Sequence, residues 1–302
     1  MVQPALLVNL RSHLSQAGDT TLAGGSVLVL EFVGAPELAA REEGLCLSLT
    51  FTGAALNMPA GTYAVYDSLV STVVVREEGE RVVVKVERDL AGPWEVKKEE
   101  GLVQRFTLYL DPAPLKPILD GKVVLLDPWA RPRAFSPTQL LEGVPTRDIA
   151  ARLGRLLTSA GAQPHLVSGG PLPVLTPRAV RSGQRCDAVL GIATAYAPRH
   201  PRSGFTVRRR PGDAASLRLA RLLAAEITRK LPLPLLAETE AGDRLLREIP
   251  APGALVEVGC LSHRVDEGLL RDIDFKQKVA QTFFNALKHF FAGAAAAAKE
   301  KE

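Results

Sequence analysis

The sequence has 302 residues, 46% of them hydrophobic and 23% charged, with 37 basic and 33 acidic side chains and a formal net charge of +4. This composition, with a mean hydropathy of +0.08, excludes a disordered, collagen-like or coiled-coil chain. At about 150 residues per domain the length predicts two domains, and no apolar run approaches the roughly 18 residues of a membrane-spanning helix. The three cysteines lie far apart, which argues against a disulfide framework and against a Cys-rich zinc site.

The chain is predicted to begin with an N-terminal arm. This arm comprises residues 1–25, and its residues 1–18 lack the cationic start and the A-x-A cleavage pattern that mark a secretory signal. The sequence therefore predicts either a cytoplasmic protein or one that reaches the cell envelope by another route.

Residues 26–112 have the pattern of a small antiparallel β-sandwich. Segment 47–51 alternates apolar and polar residues, as expected for a strand with one buried face. Two further apolar segments, 72–75 and 81–86, flank a polar loop and predict a hairpin. Gly and Pro recur about every ten residues, which favours short strands joined by turns.

A proline-rich segment, residues 113–121, is predicted to be a linker, and the pattern changes after it. Residues 122–292 alternate nearly uninterrupted apolar strands with amphipathic helices, which predicts an α/β domain with a mostly parallel sheet and helices on both faces. The predicted strands include 123–126, 188–192 and 254–258, and the predicted helices include 148–160, 216–230 and 274–291. The last residues, 293–302, are alanine-rich and are predicted to be a disordered tail.

The charge is divided unequally along the chain. Residues 1–120 hold 10 Lys/Arg and 16 Asp/Glu, and the remaining residues hold 27 and 17, so the two parts carry −6 and +10. Such an asymmetry indicates domains with different partners or domains that attract each other, unless the two solvated faces simply differ in composition.

Several short segments of the second domain occur in the order found in one enzyme family. Segment 122–128 ends in Asp-Pro, a helix leads to 156–161, segment 187–193 forms another strand, and segment 255–263 reads LVEVGCLSH. This order resembles the zinc-dependent N-acetylmuramoyl-L-alanine amidases of peptidoglycan, in which strands end in DPGHGG, SIHAN and LVEVGFLSN. The resemblance covers about 170 residues and implies the amidase fold. The first domain is similar to the β-domains that target such amidases to the cell wall.

The resemblance implies a zinc site that this sequence has largely lost. The family's zinc ligands are His, Glu and His, and its general base is a Glu on the last strand. The two histidine positions fall on Ala130 and Ala193, the ligand Glu on Glu142, and the base on Glu257. Because a methyl group has no lone pair to donate, no cofactor is expected, and Glu257 would then face water that no metal has acidified.

Each retained residue also has a simpler explanation. A structural ion pair with an arginine accounts for Glu257 equally well. Its place near a helix start accounts for Glu142, because the helix dipole favours acidic residues there. Trp129 either fills the space left by the metal and an imidazole or forms a platform for a sugar face.

The loop after Ala193 is strongly basic. Its side chains predicted to bind a ligand are Arg199, Arg202, Arg208, Arg209 and Arg210. Either they form an anion-binding rim for stem-peptide carboxylates, phosphates of an anionic polymer or an acidic protein, or they belong to a solvated loop. Nucleic acid is not expected as a partner, because Phe205 is the only aromatic residue in this run and no binding motif is present.

The sequence thus predicts an amidase-like protein that is catalytically inactive and acts as a cell-wall-binding or regulatory module. Its predicted partner is peptidoglycan or a wall-associated protein. One alternative is an active amidase whose metal is held by a shifted ligand set of Glu142, His200 and Glu257. The other alternative is an intracellular anion-binding protein with no contact to the wall.

Overall fold

The computed structural model describes residues 3–14, 25–131, 134–168, 170–240 and 244–299, with side chains up to residue 294. It divides into two compact units, Met1–Pro114 and Leu115–Glu302. The segment predicted as a linker contains a 3-10 turn, Ala113–Leu115, followed by the short helix α1, Lys116–Leu119. Within the described residues no helix is both long enough and apolar enough to cross a membrane.

The first unit consists of strands arranged in two five-stranded sheets. The strands are β1 (Ala5–Leu14), β2 (Ser26–Val33), β3 (Glu37–Glu43), β4 (Cys46–Thr52), β5 (Ala54–Leu56), β6 (Gly61–Ala64), β7 (Val70–Glu77), β8 (Arg81–Arg88), β9 (Trp94–Glu99) and β10 (Gln104–Leu110). One sheet has the order β5-β1-β2-β10-β9, and the other has the order β3-β4-β8-β7-β6.

Aromatic side chains join the two sheets of the first unit. Strand β4 buries Leu47, Leu49 and Phe51, while the residues between them are partly exposed. The ring centroid of Phe51 lies 4.5 Å from that of Phe32 on β2 and 5.0 Å from that of Phe106 on β10. The two sheets therefore pack face to face, and the predicted β-sandwich is confirmed. The predicted hairpin is the antiparallel pair β7 and β8.

Part of the segment predicted as an N-terminal arm is a strand. Strand β1 pairs antiparallel with β2 and parallel with β5, and its residues Ala5 and Leu7 are buried. The strands that pair with β1 come from later segments of the chain, so the first residues alone did not indicate a strand. Residues 15–24 of the predicted arm lie outside the described residues.

The second unit is a six-stranded sheet covered by helices. Its strands are β11 (Val123–Pro128), β12 (Gln163–Leu166), β13 (Ala188–Ala195), β14 (Phe205–Arg209), β15 (Leu235–Glu240) and β16 (Gly253–Cys260). The helices after α1 are α2 (Gly143–Ser159), α3 (Pro177–Arg181), α4 (Ala214–Lys230), α5 (Arg244–Glu248), α6 (Arg264–Arg271) and α7 (Ile273–Lys299). The sheet order is β12-β11-β13-β16-β14-β15. Strand β14 is antiparallel to β16, whereas the other neighbouring pairs are parallel.

The central strands of this sheet are buried between two layers of helices. Strand β16 is buried along its whole length, which explains its continuous apolar run. Helices α2 and α4 pack against the sheet, and α7 packs against both of these helices. Helices α3 and α5 pack against Leu125, Val189 and Leu255, which point to the other face. The predicted α/β architecture is confirmed.

The alanine-rich end of the chain differs from the prediction. Helix α7 continues to Lys299, through most of the segment 293–302 that was predicted to be a disordered tail. Alanine has the highest helix propensity of all residues, so a run of alanines extends a helix whose start is already packed. Gly293 does not end the helix, because a single interior glycine costs only about 1 kcal/mol relative to alanine.

Candidate functional site

The residues singled out by the sequence meet at the carboxyl ends of the central parallel strands. In the register of the sheet Pro128 of β11 lies beside Ile192 of β13, and Ala193 lies beside Glu257 of β16. Glu142 directly precedes α2. In open α/β sheets ligands bind at this edge, so the fold places positions 130, 142, 193 and 257 where a site is expected.

The Arg131 guanidinium links the two carboxylates of this site. Its Nη1 donates to Oε1 of Glu142 at 2.9 Å and to the carbonyl oxygen of Thr194 at 2.7 Å. Its Nη2 donates to Oε1 of Glu257 at 3.1 Å. Arg131 thus forms charge-assisted hydrogen bonds with both Glu142 and Glu257.

The two carboxylates are buried and their other hydrogen bonds come from the protein. Glu142 is 1% exposed and also accepts from the backbone N–H of Arg131 at 2.6 Å and from the backbone N–H and hydroxyl of Thr194 at 3.1 and 3.0 Å. Glu257 is 4% exposed and accepts from the Thr206 hydroxyl at 2.7 Å and from Nη2 of Arg208 at 3.1 Å. Buried charge with this many partners is stabilised as an ion-pair network.

These contacts bear on the simpler explanations for the two residues. For Glu257 the structural ion pair is present, with Arg131 and Arg208 as its partners. Glu142 does stand at the N-cap position of α2, but its side chain makes no cap hydrogen bond and points instead to Arg131 and Thr194. Helix position alone therefore does not account for Glu142.

The residues present do not fit a catalytic zinc ion. Such an ion needs three protein donors and an open position for water. Of the three positions expected to carry donors, two are Ala130 and Ala193, and the guanidinium of Arg131 contacts the carboxylate of the third, Glu142. Within the described parts of the chain, no group of three or more His, Cys, Asp or Glu side chains is placed to hold a metal ion.

The shifted ligand set is not assembled by the fold either. Glu142 and Glu257 are brought together through Arg131, but His200 lies exposed in the loop between β13 and β14. The positive charge of the Arg131 guanidinium between the two carboxylates repels a metal ion. A metal site made of Glu142, His200 and Glu257 would therefore require Arg131 to move away.

Trp129 stands beside the network and is 41% exposed. The Cζ atom of Arg131 lies 5.2 Å from the centroid of its ring, within the range of a cation–π contact. The same residue lines a cavity on the adjoining face of the sheet. Its proposed role as a stacking platform remains a prediction.

Three arginines of the basic run make contacts within the second unit. Arg208 binds Glu257, and Arg209 pairs with Glu240 at 2.6 Å. The Nε of Arg210 donates to the carbonyl oxygen of Leu246 at 2.8 Å. The remaining two side chains, Arg199 and Arg202, are exposed. An anion-binding rim made from all five arginines stays a prediction, in which Arg199 and Arg202 are the members most open to a ligand.

Sequence reasoning missed Arg131 and Asp266. Asp266 is 1% exposed and accepts from the backbone N–H of Cys260 at 2.8 Å and from the Ser203 hydroxyl at 2.5 Å, so it fixes the end of β16 beside the site. A signal for Arg131 was present. It directly follows Ala130, and two buried carboxylates in one place need a cation nearby.

The second unit has the α/β fold of the cell-wall amidases. The sequence model of the N-acetylmuramoyl-L-alanine amidase family (Amidase_3) matches residues 131–289, just over half of the chain. The chain belongs to this family.

The comparisons with individual proteins are consistent with this assignment. The chain is 27% identical over 180 residues to the probable cell wall amidase LytH of Staphylococcus epidermidis, which covers 58% of this chain and 60% of that protein. The match to LytH of a second S. epidermidis strain has 26% identity over the same length. The chain therefore spans less than two thirds of the length of the curated relatives it matches.

Solved structures share the fold of the second unit. The amidase AmiC2 of Nostoc punctiforme superposes with a TM-score of 0.51 at 20% identity, covering 57% of this chain and 99% of that one. The CwlD amidase of Clostridioides difficile, solved in complex with the GerS lipoprotein, gives a TM-score of 0.52 at 16% identity, covering 57% of this chain and all of that one. The resemblance predicted from the sequence is confirmed at the level of family and fold.

Proposed function

We propose that this protein is a non-catalytic member of the amidase family that binds peptidoglycan or a wall-associated protein. The observation that supports the proposal is the Arg131 guanidinium, which contacts both Glu142 and Glu257. A guanidinium stays charged at all physiological pH values and has no coordination position to offer to water.

The loss of hydrolysis follows from the chemistry of water. Zinc lowers the pKa of a bound water from about 15.7 to about 7, which generates the nucleophile at neutral pH. Glu257 shares its two oxygens among Arg131, Arg208 and Thr206. Both oxygens of Glu257 are therefore engaged by donors of the protein.

Binding of the wall does not require the lost chemistry. The scaffold retains the cleft edge at the strand ends, a half-exposed Trp129 and the exposed Arg199 and Arg202. CwlD was solved in complex with a lipoprotein, so a protein partner is a second possible ligand for an amidase scaffold. Since this chain spans only part of its curated relatives, its partner is proposed on the residues alone.

The test combines metal analysis, hydrolysis and binding on the full chain purified without chelators. We expect substoichiometric zinc, no release of stem peptide from purified sacculi, and co-sedimentation of the protein with the same sacculi. One zinc per chain together with peptide release would refute the proposal in favour of an active amidase.

Arg199→Ala/Arg202→Ala serves as the matched binding variant, because it removes two exposed cations and leaves the Arg131 network intact. We expect weaker co-sedimentation by this variant at low salt. An anion-binding protein without wall contact would instead bind a soluble polyanion with steep salt dependence and would not sediment with sacculi.

A further inference from the structure

A cavity of about 350 Å³ lies beside the Arg131 network, next to helices α3 and α5. Its walls include Val167, Leu246, Leu255 and the ring of Trp129, and the carboxyl group of Asp127 also lines it. Ligand pockets range from about 300 to 1,000 Å³, so this cavity suits a single side chain rather than a sugar unit with its peptide.

Asp127 is a charged group inside an apolar enclosure. It follows Leu125 by two residues in β11, so its side chain points to the same face of the sheet as the apolar cluster around α3 and α5. Burial raises the pKa of Asp127 to about 6. Among the described residues, none forms a hydrogen bond or an ion pair with its carboxyl group.

The other charges around the cavity are already paired. Glu248 accepts from Nε of Arg244 at 2.6 Å and from Nη1 of Arg181 at 3.0 Å, so its charge is compensated. The guanidinium of Arg131 contacts the Trp129 ring and binds Glu142 and Glu257. Among the described lining residues, Asp127 is therefore the charged group that has no partner from the protein.

We propose that this cavity binds a primary alkylammonium group, with its nitrogen donating to the Asp127 carboxylate and its methylene chain enclosed by Val167, Leu246 and Leu255. An ammonium ion supplies the charge that Asp127 lacks, and the apolar walls bury the chain. The Trp129 ring adds a face that attracts cations.

Binding of an amine in the cavity does not depend on the proposed function, and only the identification of the wall as the source of the amine rests on it. The side chain of a diamino acid in a peptidoglycan stem peptide has the required chemistry, and so does a free alkylamine. The shared chemistry is tested first, and the source is tested second.

The first test follows the indole N–H resonance of Trp129 in the full chain at pH 8 during titration with n-butylammonium chloride. We expect a saturable shift, at least tenfold weaker binding of the isosteric n-butanol, and at least tenfold weaker binding of butylammonium to Asp127→Asn. Asp274→Asn, which removes the same charge at the exposed start of α7, should bind as the wild type does. No saturable shift, equal binding of butanol, or an unchanged Asp127→Asn would overturn the assignment.

The second test measures co-sedimentation with sacculi before and after N-acetylation of their free amines. If the wall supplies the amine, acetylation and Asp127→Asn should each reduce binding at least threefold, whereas sacculus binding that neither change affects overturns the wall as the source. Failure of the wild type to sediment with sacculi would count against the proposed function alone, because the butylammonium titration judges the cavity separately.

Discussion

Replacement of Arg131 by methionine tests the reasoning on the site most directly. Arg131→Met keeps a long, apolar side chain but removes the guanidinium hydrogen bonds to Glu142, Glu257 and the Thr194 carbonyl. After the change Glu257 still has Arg208 and Thr206. Glu142 is 1% exposed and keeps only neutral donors, because Arg131 is its one ion-pair partner among the described residues.

The expected loss of stability follows from the buried charge of Glu142, which loses its ion-pair partner in this variant. Removing one partner of a buried ion pair destabilises a protein by about 3–5 kcal/mol, since the other charge stays buried and uncompensated. The Arg131 side chain is 31% exposed, so water screens part of the interaction and the lower end, about 3 kcal/mol, is expected. For a unit of this size that corresponds to a fall in Tm of about 6–12 °C.

The assay uses thermal unfolding followed by tryptophan fluorescence in a Trp94→Phe background. Trp94 belongs to the first unit, so Trp129 then reports the second unit alone. Adding Glu142→Gln to Arg131→Met should recover about 2 kcal/mol, because the two residues interact directly. Arg185→Met, which removes an exposed ion pair with Asp187, is the control and should change stability by less than about 1 kcal/mol. A Tm for Arg131→Met close to that of the control would refute the conclusion that Arg131 stabilises the two buried carboxylates.

Three further substitutions test other parts of the structure. Asp127→Asn should stabilise the second unit by up to about 3 kcal/mol at pH 8 and have little effect near pH 4. The reason is that the pKa of Asp127 is raised, so the wild type loses stability as the pH rises through about 6 and the buried carboxyl group ionises. Urea unfolding measures this, and an equal change in stability at both pH values would contradict it. Phe51→Ala should destabilise the first unit by about 3–5 kcal/mol, since the ring is fully buried between Phe32 and Phe106. Unfolding followed by Trp94 fluorescence in a Trp129→Phe background should show this loss of stability. Asp266→Ala should lower the free energy of unfolding of the second unit by about 2–4 kcal/mol, because the backbone N–H of Cys260 and the Ser203 hydroxyl lose their buried acceptor. The same unfolding assay with Trp129 measures the change, and a loss below about 1 kcal/mol would show that water replaces the carboxylate.

The fold was largely predictable because its signals are local. Alternation in segment 47–51 predicted a strand with one buried face, and β4 has that burial pattern. The continuous apolar runs predicted the buried strands β11, β13 and β16, and the structure extends each by a few residues. The end of α7 was not predicted, because glycine often ends a helix, whereas here the alanines after Gly293 favour its continuation.

The site was predictable only as a set of positions. The motif around LVEVGCLSH placed Glu257, and its order with the preceding segments placed Glu142, Ala130 and Ala193. What these residues contact depends on side chains from distant parts of the chain, and no local pattern records those pairings. Arg208, Arg209 and Arg210 read as a basic run in the sequence, yet the fold turns them toward Glu257, Glu240 and the Leu246 carbonyl.

The sequence by itself determined the two folds and the family, because periodicity and motif order are properties of the chain alone. Only the tertiary structure decided what holds the two remaining carboxylates. Residues 131, 142, 194 and 257 are far apart in the chain, and they meet because parallel strands bring their carboxyl ends to one edge of the sheet. At that edge two buried negative charges need a cation, and the guanidinium of Arg131 is within reach of both.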